Sequence, residues 1–89
     1  MVKGDIGTSI ECNMRIDLTG ATLLQIKYRK PSGITGTWTA TAVGTDRLQF
    51  TTILNSIDEA GSWTFQPYAE KPAWKGHGRA QTVVVEDHL

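Results

Sequence analysis

The sequence predicts an all-β fold, a small antiparallel sandwich or barrel of about six or seven strands. Three observations predict it. No stretch carries apolar residues at the i, i+3, i+4, i+7 spacing of an amphipathic helix. Short segments alternate apolar and polar residues with period two instead. Clusters of Gly, Pro, Asp and Ser interrupt them about every 8–12 residues, the rhythm of a chain that repeatedly turns back on itself.

The first segment, residues 8–16, sets Ile10, Cys12, Met14 and Ile16 on one face against Ser9, Glu11, Asn13 and Arg15. DLTGAT (17–22) follows as a turn in which Gly20 can take a positive φ. LLQIKYRK then alternates Leu24, Ile26 and Tyr28 with Gln25, Lys27 and Arg29. Pro31, Ser32 and Gly33 close a hairpin into GTWTATAV, read as one strand. Its Trp38, Ala40 and Ala42 share a face opposite Thr37, Thr39 and Thr41. A threonine-rich face is a solvated strand surface of high β propensity. Gly44, Thr45 and Asp46 turn the chain into RLQFTTI, which points Leu48, Phe50 and Thr52 inward.

NSIDEAG is the one irregular connection of any length, with room for a helical turn around Ile57. SWTFQPYAE resumes the alternation through Trp63, Phe65, Pro67 and Ala69. Pro67 donates no backbone hydrogen bond, which places its strand at an edge or a bulge. KPAWKGHG reads as the last loop and RAQTVVVED as the closing strand, where Val83 and Val85 alternate with Thr82 and Val84. EDHL is a fraying tail. No linker or repeat divides the chain, so residues 1–89 form one domain with its core over 6–86.

The stretch DEAGSW marks a corner where one sheet hands the chain to the other. Such a corner favours a small residue where backbones approach and a polar side chain that bonds its own loop. Asp58, Ala60 and Gly61 supply these, and Trp63 delivers a large apolar surface just inside. Trp63 and Trp38 should form an aromatic core with Phe50, Phe65 and Tyr28. Burying one indole stabilises by about 2–3 kcal/mol when its N–H finds a partner.

Composition excludes several classes. Nine Lys+Arg balance nine Asp+Glu with no block of one sign, so a general affinity for nucleic acid or anionic lipid has no electrostatic source. Neither nucleic acid nor membrane is an expected partner. No run nears the ~18 apolar residues of a membrane-spanning helix, and the N-terminus lacks the apolar core of a signal peptide. The single Cys12 cannot form a disulfide within the chain. That predicts a reducing compartment, or export inside a larger assembly.

Chemistry-bearing constellations are sparse. His77 and His88 are the only histidines, and no HxH, HxxxH or CxxC spacing accompanies them, so neither a metal nor any other cofactor is expected. Ser62, His77 and Asp58 have the residue types of a catalytic triad. They lack a GxSxG elbow, and a sandwich this small has little room for a water-excluding pocket, so no enzyme is expected. The neighbours Asp58 and Glu59, like Glu86 and Asp87, point apart on extended chain and read as solvated acids.

The candidate interaction surface is the loop KPAWKGHGR with the strand end before it: Tyr68, Lys71, Trp74, Lys75, His77 and Arg79. Indole and cationic side chains on a loop suit protein or glycan contacts. Trp74 either stands out as that contact or folds back over Tyr68 or Pro67; the sequence leaves both open. The Lys27, Arg29, Lys30 face reads as a solvated strand surface that discourages edge-to-edge pairing.

Six stretches then occur in a telling order: KGDIGTSIE (3–11), DLTGAT (17–22), KYRKPSG (27–33), TGTWTA (35–40), AGSW (60–63) and AWKGHG (73–78). Together they resemble the small immunoglobulin-like domains of bacteriophage and prophage tail proteins. They are similar to the N-terminal domain of lactococcal phage baseplate upper proteins, with its Gly-Asp start, DLTGAT turn and Lys/Pro/Gly hairpin. The resemblance spans residues 3–86 and rests on turn chemistry. It implies a small antiparallel immunoglobulin-like β-sandwich serving as a non-catalytic structural or assembly module of a tail. A baseplate-type adaptor or decorating subunit is expected, located in the virion and made in the bacterial cytoplasm. Its partners would be other tail and virion proteins, or further copies of itself in a homo-oligomer. In the baseplate proteins the domain continues into receptor-facing parts; this sequence ends, which points to a stand-alone subunit. The alternative is a glycan- or cell-surface-binding sandwich that stacks sugars on Trp74 and Tyr68. An oligonucleotide-binding barrel is a further β fold, against which the zero net charge speaks.

Overall fold

The computed structural model describes residues 1–87; His88 and the end of the expected tail lie outside them. Eight strands form: β1 (Ser9–Asn13), β2 (Leu23–Arg29), β3 (Thr35–Thr39), β4 (Thr41–Val43), β5 (Arg47–Thr51), β6 (Gly61–Lys71), β7 (Trp74–His77) and β8 (Gln81–Val85). One sheet has the order β1-β5-β4. The other runs β3-β2-β6, with β7 and β8 pairing end to end along the far side of β6. All strand pairs are antiparallel, so the fold is an all-β sandwich, as the alternation predicts. The chain changes sheets after β1, after β3 and after β5. This partition and these crossings are those of an immunoglobulin-like sandwich. A parallel bridge between Val2 and Glu86 adds the chain start beside β8. The Lys3 N–H donates to the Glu86 carbonyl at 2.8 Å, and Met1 packs against the core, so the folded body begins before residue 6.

Most of the strand-borne core is the one that period two predicts. Ile26, Leu48, Trp63 and Ala69 are fully buried, and Phe65 nearly so. Trp38 lies stacked on Phe50 with ring centroids 4.5 Å apart and also meets Tyr28 at 4.5 Å. Trp63 contacts Tyr28, Trp38 and Phe65, so five rings form one cluster. Offset and tilted ring pairs of this kind add about 0.5–1.5 kcal/mol each beyond their buried area. The Trp63 indole N–H, which burial would otherwise orphan, donates to the Glu59 carbonyl at 3.0 Å.

Several expectations give way. GTWTATAV is two strands: at Ala40 the chain leaves the five-stranded sheet for the other, and the Ala40 N–H donates back to the Leu24 carbonyl at 3.0 Å. Ala42, expected inward, is exposed there. Ile16 is 36% exposed because β1 stops at Asn13 and Arg15 turns the chain at φ 58. Around Ile57 the chain bends without any helical turn, yet Ile57 itself is fully buried. Pro67 sits in a central strand, β6, unbroken on its β2 side from Leu23↔Glu70 to Arg29↔Thr64. Its carbonyl accepts from the Gly78 N–H at 2.8 Å. The N and C=O of one strand residue point the same way, so the missing donor faces the gap between β7 and β8. No ladder bond is lost.

Candidate functional site

The alternation that buries one face of β2 and β6 sends every other residue to the outer face of the same sheet. Antiparallel register sets these residues in rows across the strands. Thr37, Lys27 and Gln66 are directly opposite one another, and Thr35, Arg29 and Thr64 form the next row. Between the rows runs an open groove of about 520 Å³, reaching Ala80 beyond β6. No acidic residue lines it. Arg29 is exposed and makes no ion pair among the described residues. Gln66 is oriented by donating to the Gly78 carbonyl at 3.1 Å.

Beside the groove lies a tighter cluster. The Lys27 ammonium stands 4.5 Å above the centre of the Tyr68 ring and 2.8 Å from His77 Nε2. An ammonium only donates, so Nε2 accepts and the His77 proton sits on Nδ1. The His77 and Tyr68 rings meet at 4.7 Å. The Tyr68 hydroxyl donates to Glu70 Oε2 at 2.8 Å, and that hydrogen bond, with some burial and the carboxylate's charge, pushes the phenol above its ordinary pKa. Lys75 lies 3.8 Å from the other Glu70 oxygen.

The structure thus brings together three of the expected interaction residues, Tyr68, Lys75 and His77, and adds Lys27 and Glu70. They do not lie on a loop. β7 is a strand hairpinned onto β6 from Lys71↔Trp74 to Tyr68↔His77. Register puts Lys71 and Trp74 on the opposite face of that hairpin, and Arg79 falls in the link between β7 and β8. Trp74 is 39% exposed and does not cover Tyr68, whose ring is taken by Lys27 and His77; its six-membered ring packs where a side chain on Gly76 would otherwise stand. Sequence reading missed the groove residues Thr35, Thr37, Thr64 and Gln66. It treated Lys27 and Arg29 as mere solvated surface.

The corner before β6 has its own polar clasp. Lys30 donates to Asp58 at 2.8 Å, and that bond raises the lysine pKa; its ammonium lies 5.8 Å from the Trp63 ring centre. Glu59 accepts from the Ser32 N–H at 3.2 Å and from its hydroxyl at 2.9 Å. Asp58 and Glu59 therefore grip the β2–β3 hairpin rather than standing solvated or bonding their own loop. Ser62, His77 and Asp58 are not assembled as a triad: Asp58 holds Lys30, and His77 faces Lys27. Among the described residues no group of three or more His, Cys, Asp or Glu side chains could hold a metal ion.

No family model, curated protein or solved structure matches the chain.

Proposed function

We propose that this domain is a non-catalytic assembly module that docks onto other protein chains through a sheet edge, in the manner of a tail or baseplate adaptor within a virion. One observation carries the reading. β3 and β4 are both edge strands, joined through Ala40, and neither contains a charged residue. Monomeric β proteins blunt their edges with lysine, proline or bulges, because open N–H and C=O groups template further strands. Here the threonine- and alanine-rich segment TGTWTATAV carries unpaired backbone along the edges of both sheets. That is suited to β-strand addition by a partner or by another copy. The order of turn motifs, which resembles that of phage tail domains, supports the same reading.

Size-exclusion chromatography with light scattering tests it, alongside co-purification with the products of neighbouring genes. Thr39→Lys places a charge on the exposed outer side of β3 without touching the core. Self-association or partner capture should fall at least tenfold, with the melting temperature unchanged. A strict monomer that captures no neighbouring gene product, or association indifferent to Thr39→Lys, would overturn the proposal.

Trp74 favours a second reading, a glycan- or cell-surface-binding module. Its indole is held over Gly76 and remains substantially exposed, while Tyr68 is already covered. Sugar stacking would then fall to Trp74 alone. Cell-wall polysaccharide should quench tryptophan fluorescence saturably, and a flat titration eliminates this reading.

A further inference from the structure

We infer that the groove across β3, β2 and β6 is a binding site for an acidic peptide segment of the assembly partner. The choice of a peptide rests on the assembly reading; the choice of charge rests on the groove itself. Along the outer face of these three strands the charged groups are Lys27, Arg29 and Glu70, and Glu70 is already held by Tyr68 and Lys75. A chain of zero net charge has therefore concentrated unneutralised positive charge at one groove.

The geometry narrows the occupant. Lys27 and Arg29 are two residues apart on one strand, so their rows lie about 7 Å apart and flank the groove as opposite banks. A carboxylate in the groove would meet Arg29 directly, while the Lys27 ammonium, held at Tyr68 and His77 beside the groove, adds positive potential from the other bank. Arg29 is the natural fork for it, because a guanidinium without another partner can engage both carboxylate oxygens. Lys27 is held by His77 and Tyr68, so its charge stays fixed at the groove's margin. Crossing from β3 past β6 to Ala80 covers about three strand spacings, ~14 Å, the reach of about four residues of extended chain. Hydroxyls of Thr35, Thr37 and Thr64 and the Gln66 amide lie along that path for the peptide backbone. No tryptophan or histidine lines it, and Tyr28, which does, packs its ring against Trp38 and Trp63 in the core, so the groove offers no platform for stacking bases or sugars.

The test is a titration of the isotope-labelled full chain with a blocked tetraglutamate peptide, followed by amide chemical shifts. Shifts should centre on residues 27–29, 35–37 and 64–66, and the affinity should drop as salt rises from 50 to 300 mM, values chosen to bracket physiological screening. Arg29→Gln should weaken binding about tenfold or more, with the thermal melt unchanged. A tetraglutamine peptide should not bind. The proposal is overturned if tetraglutamate gives no saturable shift, if tetraglutamine binds equally, or if Arg29→Gln has no effect. Oligogalacturonate binding in place of the peptide also overturns it and makes the groove a glycan site. Thr39 lies outside the groove lining, so loss of edge association in Thr39→Lys and loss of peptide binding in Arg29→Gln fail separately.

Discussion

The two faces of the five-stranded sheet are built by the same strands and differ in nearly every physical respect. Along β6, Trp63, Phe65, Pro67 and Ala69 are buried, while Ser62, Thr64, Gln66 and Tyr68 point outward. The inner face gains from removing rings from water and from packing them at van der Waals contact. The outer face is organised by register: in its groove hydroxyls, one amide and two cations are set in rows by ladders whose stability comes from behind. The inner face determines whether the outer one exists at all. The outer face contributes little to folding and is free to recognise.

That asymmetry can be broken from the inside first. Trp63→Ala removes a fully buried indole in contact with three other rings, and should cost about 3–5 kcal/mol. The measure is the urea midpoint, and a well-folded, thermally robust variant would show that the ring cluster is not what holds the sheets together. Gly61→Ala comes next. Gly61 has φ 128, where an L side chain is strained, and a Cβ there would lie 2.8 Å from Cγ of Pro31. The cost should be about 1–3 kcal/mol, read in the same urea titration, because the corner that aims Trp63 inward must shift against the β2–β3 hairpin.

The smallest effect probes how dry the interior is. Burial in β1 pushes the Cys12 thiol from 9.0 up to about 11. Well below pH 9 the thiol is neutral folded and unfolded, and its pKa shift has no effect. As pH rises toward 11 the unfolded chain ionises and the folded one does not, so stability declines over that window. The loss between pH 8 and pH 10.5 should be smaller in Cys12→Ala than in the parent, whatever the baseline cost of the cavity. Equal losses in the two proteins would mean that water reaches the thiol in the native state.

The inner face was legible in the sequence because alternation is a local signal. Trp63, Phe65 and Ala69, like Ile26 and Leu48, announce themselves by their neighbours. Ile57 and Leu18 do not: each is buried from a loop, where no period marks it. The split at Ala40 was hidden because the period continues unbroken while the chain changes sheets. Strand β7 was hidden for the opposite reason, since WKGH is too short and too polar to show any period. Pro67 misled because its lost donor matters only if something faces it, and the parting of β7 from β8 leaves nothing there to be lost. The groove was the least legible feature. Its residues come from positions 27–29, 35–37 and 64–66, and only pairing register brings them into rows.

The charge-free stretch along β3 and β4 has a practical consequence. The backbone groups that would accept a partner's strand will equally accept an identical strand from a neighbour in a crowded tube. On the proposed reading, colloidal stability and recognition would draw on one surface, and the domain should precipitate on concentration unless a short competing strand is supplied to occupy that seam.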